Sequence, residues 1–145
     1  MRLASSNPAD CNCLALRQAA RHVTQFYDLF FAASGLRATQ YSILARLKRN
    51  GAMTINALAR ELVMDRTTLG RNMLPLERDG LIAVVPGKVD RRSKELRLTD
   101  AGAASQRSAS KSWAQAQARF EGAFGAKRAK ALRTLLDGVT SSELI

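Results

Sequence analysis

The chain has 145 residues and a formal net charge of +11, from 23 Lys and Arg against 12 Asp and Glu. This length fits one domain with a substantial core, and the sequence contains no run of about 18 apolar residues that would cross a membrane. The charge favours a polyanionic partner such as nucleic acid, because phosphate contacts release counterions. The basic residues are spread along the chain, however, and a solvated basic surface would give the same charge.

The first residues, MRLASSNPAD, lack the apolar core of a secretory signal. We therefore expect a cytoplasmic protein, in which cysteines are usually reduced. Apolar residues then recur at steps of three and four over 14–33, which predicts a helix that Gly35 ends. A second helix is predicted from about Thr39 until Gly51 stops it.

Two further helices are predicted in the middle of the chain. Thr54 is a plausible cap for a short helix, and Asp65 for the next helix, which Gly80 ends. Pro75 lies inside that helix and should kink it or remove one hydrogen bond. The side chains expected on its outward face are Arg66, Thr67, Thr68, Arg71 and Asn72. Arg binds guanine edges or phosphates, Thr offers a hydroxyl and a methyl, and Asn can pair with adenine, although any exposed helix carries such residues.

A β-hairpin with a basic loop is predicted next. Residues 81–85 are typical of a strand, and 96–98 alternate as a half-exposed returning strand should. Thr99 is expected to cap a long helix whose buried side includes Trp113, and 127–139 supply a last helix with an apolar side. The candidate DNA contacts in the loop are Lys88, Asp90, Arg91 and Arg92.

Two helices followed by such a hairpin are the order of a winged helix-turn-helix, whose second helix enters the major groove. We therefore predict a mainly α fold with a small β-hairpin wing. Sequence 89–102, VDRRSKELRLTDAG, resembles the signature of MarR-type transcriptional regulators: Asp-x-Arg in the wing, then a strand and a Leu-Thr-x-x-Gly helix start. The matching residues are Asp90, Arg92, Leu98, Thr99 and Gly102. GLRATQYSILARL and TINALARELVMDRTTLGRNMLPLERDGLI are similar to the family's second helix and reading head, so the resemblance spans about 13–139.

The resemblance implies one domain over 1–145. In it, about 12–34 and 100–140 form dimerisation helices, and about 38–98 form the winged helix-turn-helix. It also implies a homodimer that binds double-stranded DNA at a near-palindromic operator, without a cofactor, and represses a gene until an inducer releases it. A two-fold dimer also fits the apolar content of the terminal helices.

The family further implies that Arg92 enters the minor groove while Asp90 holds its guanidinium by charge-assisted hydrogen bonds. A carboxylate beside a long side chain at a hairpin tip would pre-order it. The alternative is an ordinary surface ion pair of about 0–1 kcal/mol.

One branch of the MarR family senses organic hydroperoxides through a thiol near the start of the first helix. Cys13 matches that position and Tyr27 the tyrosine fourteen residues later. Arg17 and Ala38 stand where that branch has two further tyrosines, and Tyr41 lies on a different turn. A helix start favours a thiolate, and Arg17, one turn on, would add to this effect. Oxidation to sulfenic acid and capping by a second thiol would spread the dimer.

Other interpretations of the cysteines stay open. Cys11 could supply the second thiol, although residues two apart in a helix point away from each other. Cys13 could equally be a small buried residue. Cys-x-Cys also offers two soft metal ligands, but a closed zinc site needs four, and His22, the only histidine, is expected on an exposed helix face.

An inducer could instead be a small, often aromatic, anion held between the dimerisation helices and the reading head. The candidate lining residues are Phe26, Tyr27, Phe30, Phe31, Tyr41 and Arg46. The same aromatic residues could simply form the dimer core. An enzyme is not expected, because the sequence shows no nucleophile–base pair or phosphate loop. A sequence-neutral architectural DNA-binding protein and a winged domain for protein contacts remain as alternatives.

Overall fold

The computed structural model describes residues 4–145, which form six α-helices and a three-stranded antiparallel sheet. The helices are α1 (Asn12–Phe31), α2 (Ala38–Asn50), α3 (Ile55–Glu61), α4 (Arg66–Arg78), α5 (Asp100–Phe124) and α6 (Ala126–Thr140). The strands are β1 (Met53–Thr54), β2 (Ile82–Pro86) and β3 (Lys94–Leu98). The mainly α fold with a β wing is therefore confirmed. None of the helices in the described part is long and apolar enough to span a membrane.

The helices begin where the sequence offers a side-chain cap. Thr54, Asp65 and Thr99 each accept a hydrogen bond from the backbone N–H three residues on, at 3.1, 2.7 and 3.0 Å. Each bond satisfies an N–H that the first turn of a helix leaves unpaired. These are the three caps that the sequence predicts, so α3, α4 and α5 start at sites fixed by local chemistry.

The wing is part of a larger sheet than the predicted hairpin. β3 lies in the middle and pairs with both β1 and β2, so that Leu96 is opposite Met53 on one side and Val84 on the other. The sequence prediction missed β1, because two residues are too few to show the alternation of a strand. β1 ties the start of α3 to the wing and so fixes the wing relative to the helices.

The core lies where α2, α3, α4 and the sheet meet. Its fully buried side chains include Ile43, Leu44, Leu58, Leu69 and Leu96. The start of α5 joins this core through a close backbone approach at Gly102. A Cβ atom at that position would lie 1.9 Å from the carbonyl oxygen of Leu81, so the glycine of the Leu-Thr-x-x-Gly segment is required by packing.

The terminal helices bury fewer of their apolar side chains than the sequence suggests. Trp113, predicted to face inward, is 40% exposed, because α5 buries small residues such as Ala109 and Ala116. On α6, Leu135 and Val139, which belong to the apolar side predicted for 127–139, are 70% and 40% exposed. Helical periodicity identified an apolar side correctly, but within this chain that side stays largely open.

Candidate functional site

Helix α4 presents one continuous exposed line of side chains. This line consists of Thr67, Arg71, Leu74 and Arg78. The residues are spaced by four, three and four positions, which places them on one helix face, opposite the buried side of α4. The sequence prediction included Thr67 and Arg71 but missed Leu74 and Arg78. Helical spacing from Arg71 would have found both residues.

Two of the predicted contact residues have polar groups that are already engaged within α4. The hydroxyl of Thr68 donates to Oδ2 of Asp65 at 2.8 Å, and Nδ2 of Asn72 donates to the carbonyl oxygen of Thr68 at 2.9 Å. The hydrogen bonds from Thr68 hold the pKa of Asp65 below its ordinary value. Both Thr68 and Asn72 are half-buried, so they stabilise the first turns of α4 at the flank of its exposed line.

A polar groove of about 630 Å³ lies between the starts of α3 and α4 and the wing. It brings Arg66 from α4 together with Asp90, Arg92 and Lys94 from the wing. Three cations against one carboxylate suit a polyanion. Arg91 lines a different pocket beside β2 and Glu77 near the end of α4, so Arg92 faces the start of α4 and Arg91 faces its other end. Lys88 is exposed in the same loop.

Asp90 bonds to the main chain of the loop and not, as predicted, to the guanidinium of Arg92. Its Oδ1 accepts a hydrogen bond from the backbone N–H of Arg92 at 3.0 Å, and the two side chains form no ion pair within residues 4–145. The backbone N–H of Ser93 also donates to the carbonyl oxygen of Asp90, at 3.1 Å. The predicted ion pair is therefore wrong in this structure. The short Asp90 side chain folds the loop by accepting a hydrogen bond from the backbone two residues on. This bond positions Arg92 through its main chain.

A second cavity of about 530 Å³ lies between α1, α2 and α5 and reaches the end of α3. Four residues predicted for an inducer site line it: Tyr27, Phe31, Tyr41 and Arg46. Phe26 and Phe30 are not among its lining residues, whereas Trp113 and Arg49 are. Sequence reasoning missed Arg49, which follows Arg46 at helical spacing. The cavity is thus walled by aromatic rings and carries two guanidinium groups at one side, of which that of Arg46 also pairs with Glu61 at 3.5 Å.

The two tyrosines of this cavity are held in defined positions. The hydroxyl of Tyr27 donates to Oε1 of Gln117 on α5, and the ring of Tyr41 stacks on Phe31 with centroids 4.8 Å apart. Burial raises the pKa of both tyrosines, and the charge of Glu121 raises that of Tyr27 further. Both hydroxyls therefore stay protonated near neutral pH. The proton of Tyr27 is engaged by Gln117, whereas the hydroxyl of Tyr41 can donate a hydrogen bond to an anion.

The two cysteines lie far from this cavity. Cys13 is in the first turn of α1, as predicted, and Sγ of Cys11 caps the helix by accepting the N–H of Leu14 at 3.4 Å. Both thiols are free and exposed, so the idea that Cys13 is buried is wrong for the single chain. Fourteen residues of helix span about 21 Å, so within one chain Cys13 cannot contact Tyr27.

Arg17 is exposed one turn after Cys13, and His22 lies on an exposed face, as expected. In the part of the chain that the structure describes, no three His, Cys, Asp or Glu residues cluster as a metal site would require. The sensor residues named from the sequence thus fall into two places. Cys13 and Arg17 lie at the start of α1, and Tyr27 and Tyr41 lie in the cavity.

Comparisons with known proteins agree with this architecture. The MarR family profile matches residues 36–94, and the transcriptional activatory protein BadR of Rhodopseudomonas palustris is 34% identical over 112 residues. That alignment covers 70% of this chain and 63% of BadR, so the chain spans less than two thirds of that relative.

Solved structures extend the likeness over nearly the whole chain. The M. tuberculosis transcriptional regulator MosR, solved in complex with DNA, is 34% identical, with a TM-score of 0.79 over 93% of this chain and 100% of that one. Bordetella bronchiseptica BpsR shares the fold, with a TM-score of 0.84 and 21% identity over 97% of this chain and 100% of that one. Together with the Asp-x-Arg segment of the wing and helix α4 with its Asp65 cap, these matches show that the chain belongs to the MarR family.

Proposed function

We propose that this protein is a dimeric, sequence-specific transcriptional regulator that binds double-stranded DNA and represses a gene. The observation that carries the proposal is the exposed line of α4 next to the cationic groove at Arg92. Side chains on α4 would read base edges in the major groove, and Arg92 would enter the adjoining minor groove. Arg66 and Lys94 would hold the intervening phosphates.

The proposed regulator works as a homodimer with the domain division expected from the sequence. Residues of about 38–98 would bind DNA, and those of about 12–34 and 100–140 would form the dimer. The open apolar sides of α5 and α6 support this arrangement, because exposed residues such as Leu135 need a partner surface. A two-fold dimer would bind a near-palindromic site. Acting on the chromosome, it would be a cytoplasmic binding protein rather than an enzyme.

A DNA titration tests this function directly. An operator selected by the protein from a random-sequence duplex pool should bind at least about a thousandfold more tightly than random duplex at moderate salt. A sequence-neutral architectural protein would bind both duplexes alike. A winged domain used for protein contacts would show no salt-dependent DNA binding. Either of these two results would overturn the proposal.

We further propose that a small aromatic anion in the cavity between α1, α2 and α5 releases the DNA. Its carboxylate would pair with Arg46 or Arg49, and its ring would pack among Tyr27, Tyr41 and Trp113. This placement is supported by the aromatic rings and guanidinium groups that line one cavity. Oxidation of Cys13, with tyrosine hydroxyls supplied by the partner subunit, is the alternative. The cavity also touches the end of α3, so an occupant could shift the reading helices.

Release experiments separate the two inducer ideas. The preformed complex would be titrated with benzoate and hydroxybenzoates as probes, and separately with an organic hydroperoxide, for the native protein and two variants. We expect Arg46→Ala to weaken release by an aromatic acid at least tenfold, and Cys13→Ser to leave it unchanged. Release by hydroperoxide from the native protein but not from Cys13→Ser would instead establish the thiol as the sensor.

A further inference from the structure

Leu74 has no packing role that accounts for its position. It lies in the exposed line of α4 between Arg71 and Arg78, and it is 66% exposed. A leucine among arginines gains nothing from water, and one isolated side chain is too small a patch for a typical protein partner. A large apolar side chain at the centre of a basic helix face therefore points to an apolar group on a polyanion.

Gly70 is the second unexplained residue of this face. A glycine inside a helix is less favourable than alanine by about 0.5–1 kcal/mol. A Cβ atom built at Gly70 meets nothing within 4 Å, and its φ is not positive. The chain's own packing and backbone therefore do not require glycine there. Gly70 lies one turn before Leu74 on the same side of α4, so its missing side chain leaves an open notch beside the leucine.

We propose that Leu74 contacts the 5-methyl group of a thymine in the major groove, and that Gly70 lets the backbone of α4 approach the base edges closely enough for this contact. The inference rests on the proposed DNA-binding function and names the base feature that this part of the helix reads. Thymine is the only base that presents a methyl group in the major groove. Arg71, next to both residues on the exposed line, would bind a neighbouring guanine or phosphate.

The test replaces each thymine of the selected operator with deoxyuridine, one symmetric pair at a time, and measures binding by fluorescence anisotropy. Deoxyuridine lacks only the methyl group. We expect one pair of replacements to weaken binding of the native protein about fourfold per half-site, the value of one buried methyl. The Leu74→Ala variant should bind the thymine and deoxyuridine forms of that operator equally.

Gly70→Ala provides a readout that a structural role would not give. We expect this variant to have a higher Tm, because alanine favours the helix and has room, and yet to bind the operator at least tenfold more weakly. Gly122→Ala on α5, where an added Cβ atom also meets nothing of its own chain within 4 Å, checks the stability effect alone and should raise Tm. Because α5 belongs to the proposed dimer, its operator affinity is compared with that of Gly70→Ala only after sedimentation velocity has shown both variants to be dimeric.

The possible failures are distinguishable. If the native protein selects no operator, the DNA-binding function itself is overturned. If it binds a selected operator but every deoxyuridine replacement is silent, or if Leu74→Ala keeps the native response to the replacement, the thymine contact is overturned. A Gly70→Ala protein with native affinity would remove the close approach of α4.

Discussion

The winged helix-turn-helix (about 38–98, the reading head) and the terminal helices contain the same kinds of apolar residue. They differ in how much of this apolar surface the chain itself buries. In the reading head, Leu58 and Leu69 are 0% exposed. On α6, Leu135 is 70% exposed and Ala129 is the buried residue. One chain therefore completes the core of the reading head, whereas the apolar sides of the terminal helices stay open, where the proposed dimer would cover them. In that proposal the reading-head core determines folding and the terminal helices determine assembly.

The largest effect should follow from opening the reading-head core. Leu69→Ala removes a side chain that α4 buries completely, and such a truncation costs about 2–5 kcal/mol. Urea unfolding at several protein concentrations measures the loss, which should be similar at each. The matched control is Leu74→Ala in the same helix, which should change the free energy of unfolding by less than about 0.5 kcal/mol. Equal losses in the two variants would contradict the distinction between core and exposed line.

The next effect should come from the terminal helices. Leu135→Asp places a charge on the open apolar side of α6 and should prevent dimer formation, because an unpaired charge would be buried at the interface. Sedimentation velocity should show a monomer at micromolar concentration, and operator binding should weaken by at least tenfold. Lys130→Asp, on another side of α6, is the control and should stay dimeric. A dimeric Leu135→Asp protein would show that this face is not the interface.

Local chemistry explains which parts of the fold could be predicted from the sequence. The caps at Thr54, Asp65 and Thr99 act through bonds to the next turn, so the sequence alone fixes them. The strand β1 exists because it pairs with β3, more than forty residues away. The exposure of Leu135 likewise depends on what lies against it, which periodicity cannot reveal.

The residues of the candidate site likewise divide into those that the sequence predicts and those that only the structure shows. Arg71 and Arg92 were found because charged residues followed a cap and a turn. Leu74 was missed because an apolar residue in a helix suggests core, and its exposure becomes evident only when the buried side of α4 is known. The bond from the Arg92 backbone to Asp90 was missed because the spacing of Asp-x-Arg permits either a side-chain or a main-chain partner.

A smaller effect, confined to the surface of the reading head, should follow from Arg92→Ala. Removing the guanidinium from the groove should weaken operator binding more than about tenfold, within the range of a charge-assisted contact. Tm and the dimer should be unchanged, because the Arg92 side chain is exposed. Arg91→Ala is the matched control, since that side chain lines the pocket on the other side of the wing. Equal losses in both variants would mean that the loop contributes only general charge.

The smallest effect should be on stability at alkaline pH. The two tyrosines concerned belong one to a terminal helix and one to the reading head. Burial raises the pKa of Tyr27 on α1 and of Tyr41 on α2 above the ordinary 10.0. Above pH 10 the unfolded chain loses these protons while the folded chain still holds them, so ionisation favours unfolding. The free energy of unfolding should therefore fall as the pH rises from 10 through the raised pKa values.

The variants Tyr27→Phe and Tyr41→Phe should each make that fall shallower, because phenylalanine has no proton to lose. Urea unfolding between pH 8 and 11, at one protein concentration, measures the slopes. Tyr27→Phe should also lower stability at pH 8, where its bond to Gln117 links α1 to α5, by about 1 kcal/mol. A slope that neither variant changes would place the alkaline loss in other groups, and the two tyrosines would then be equally solvated in the folded and unfolded chain.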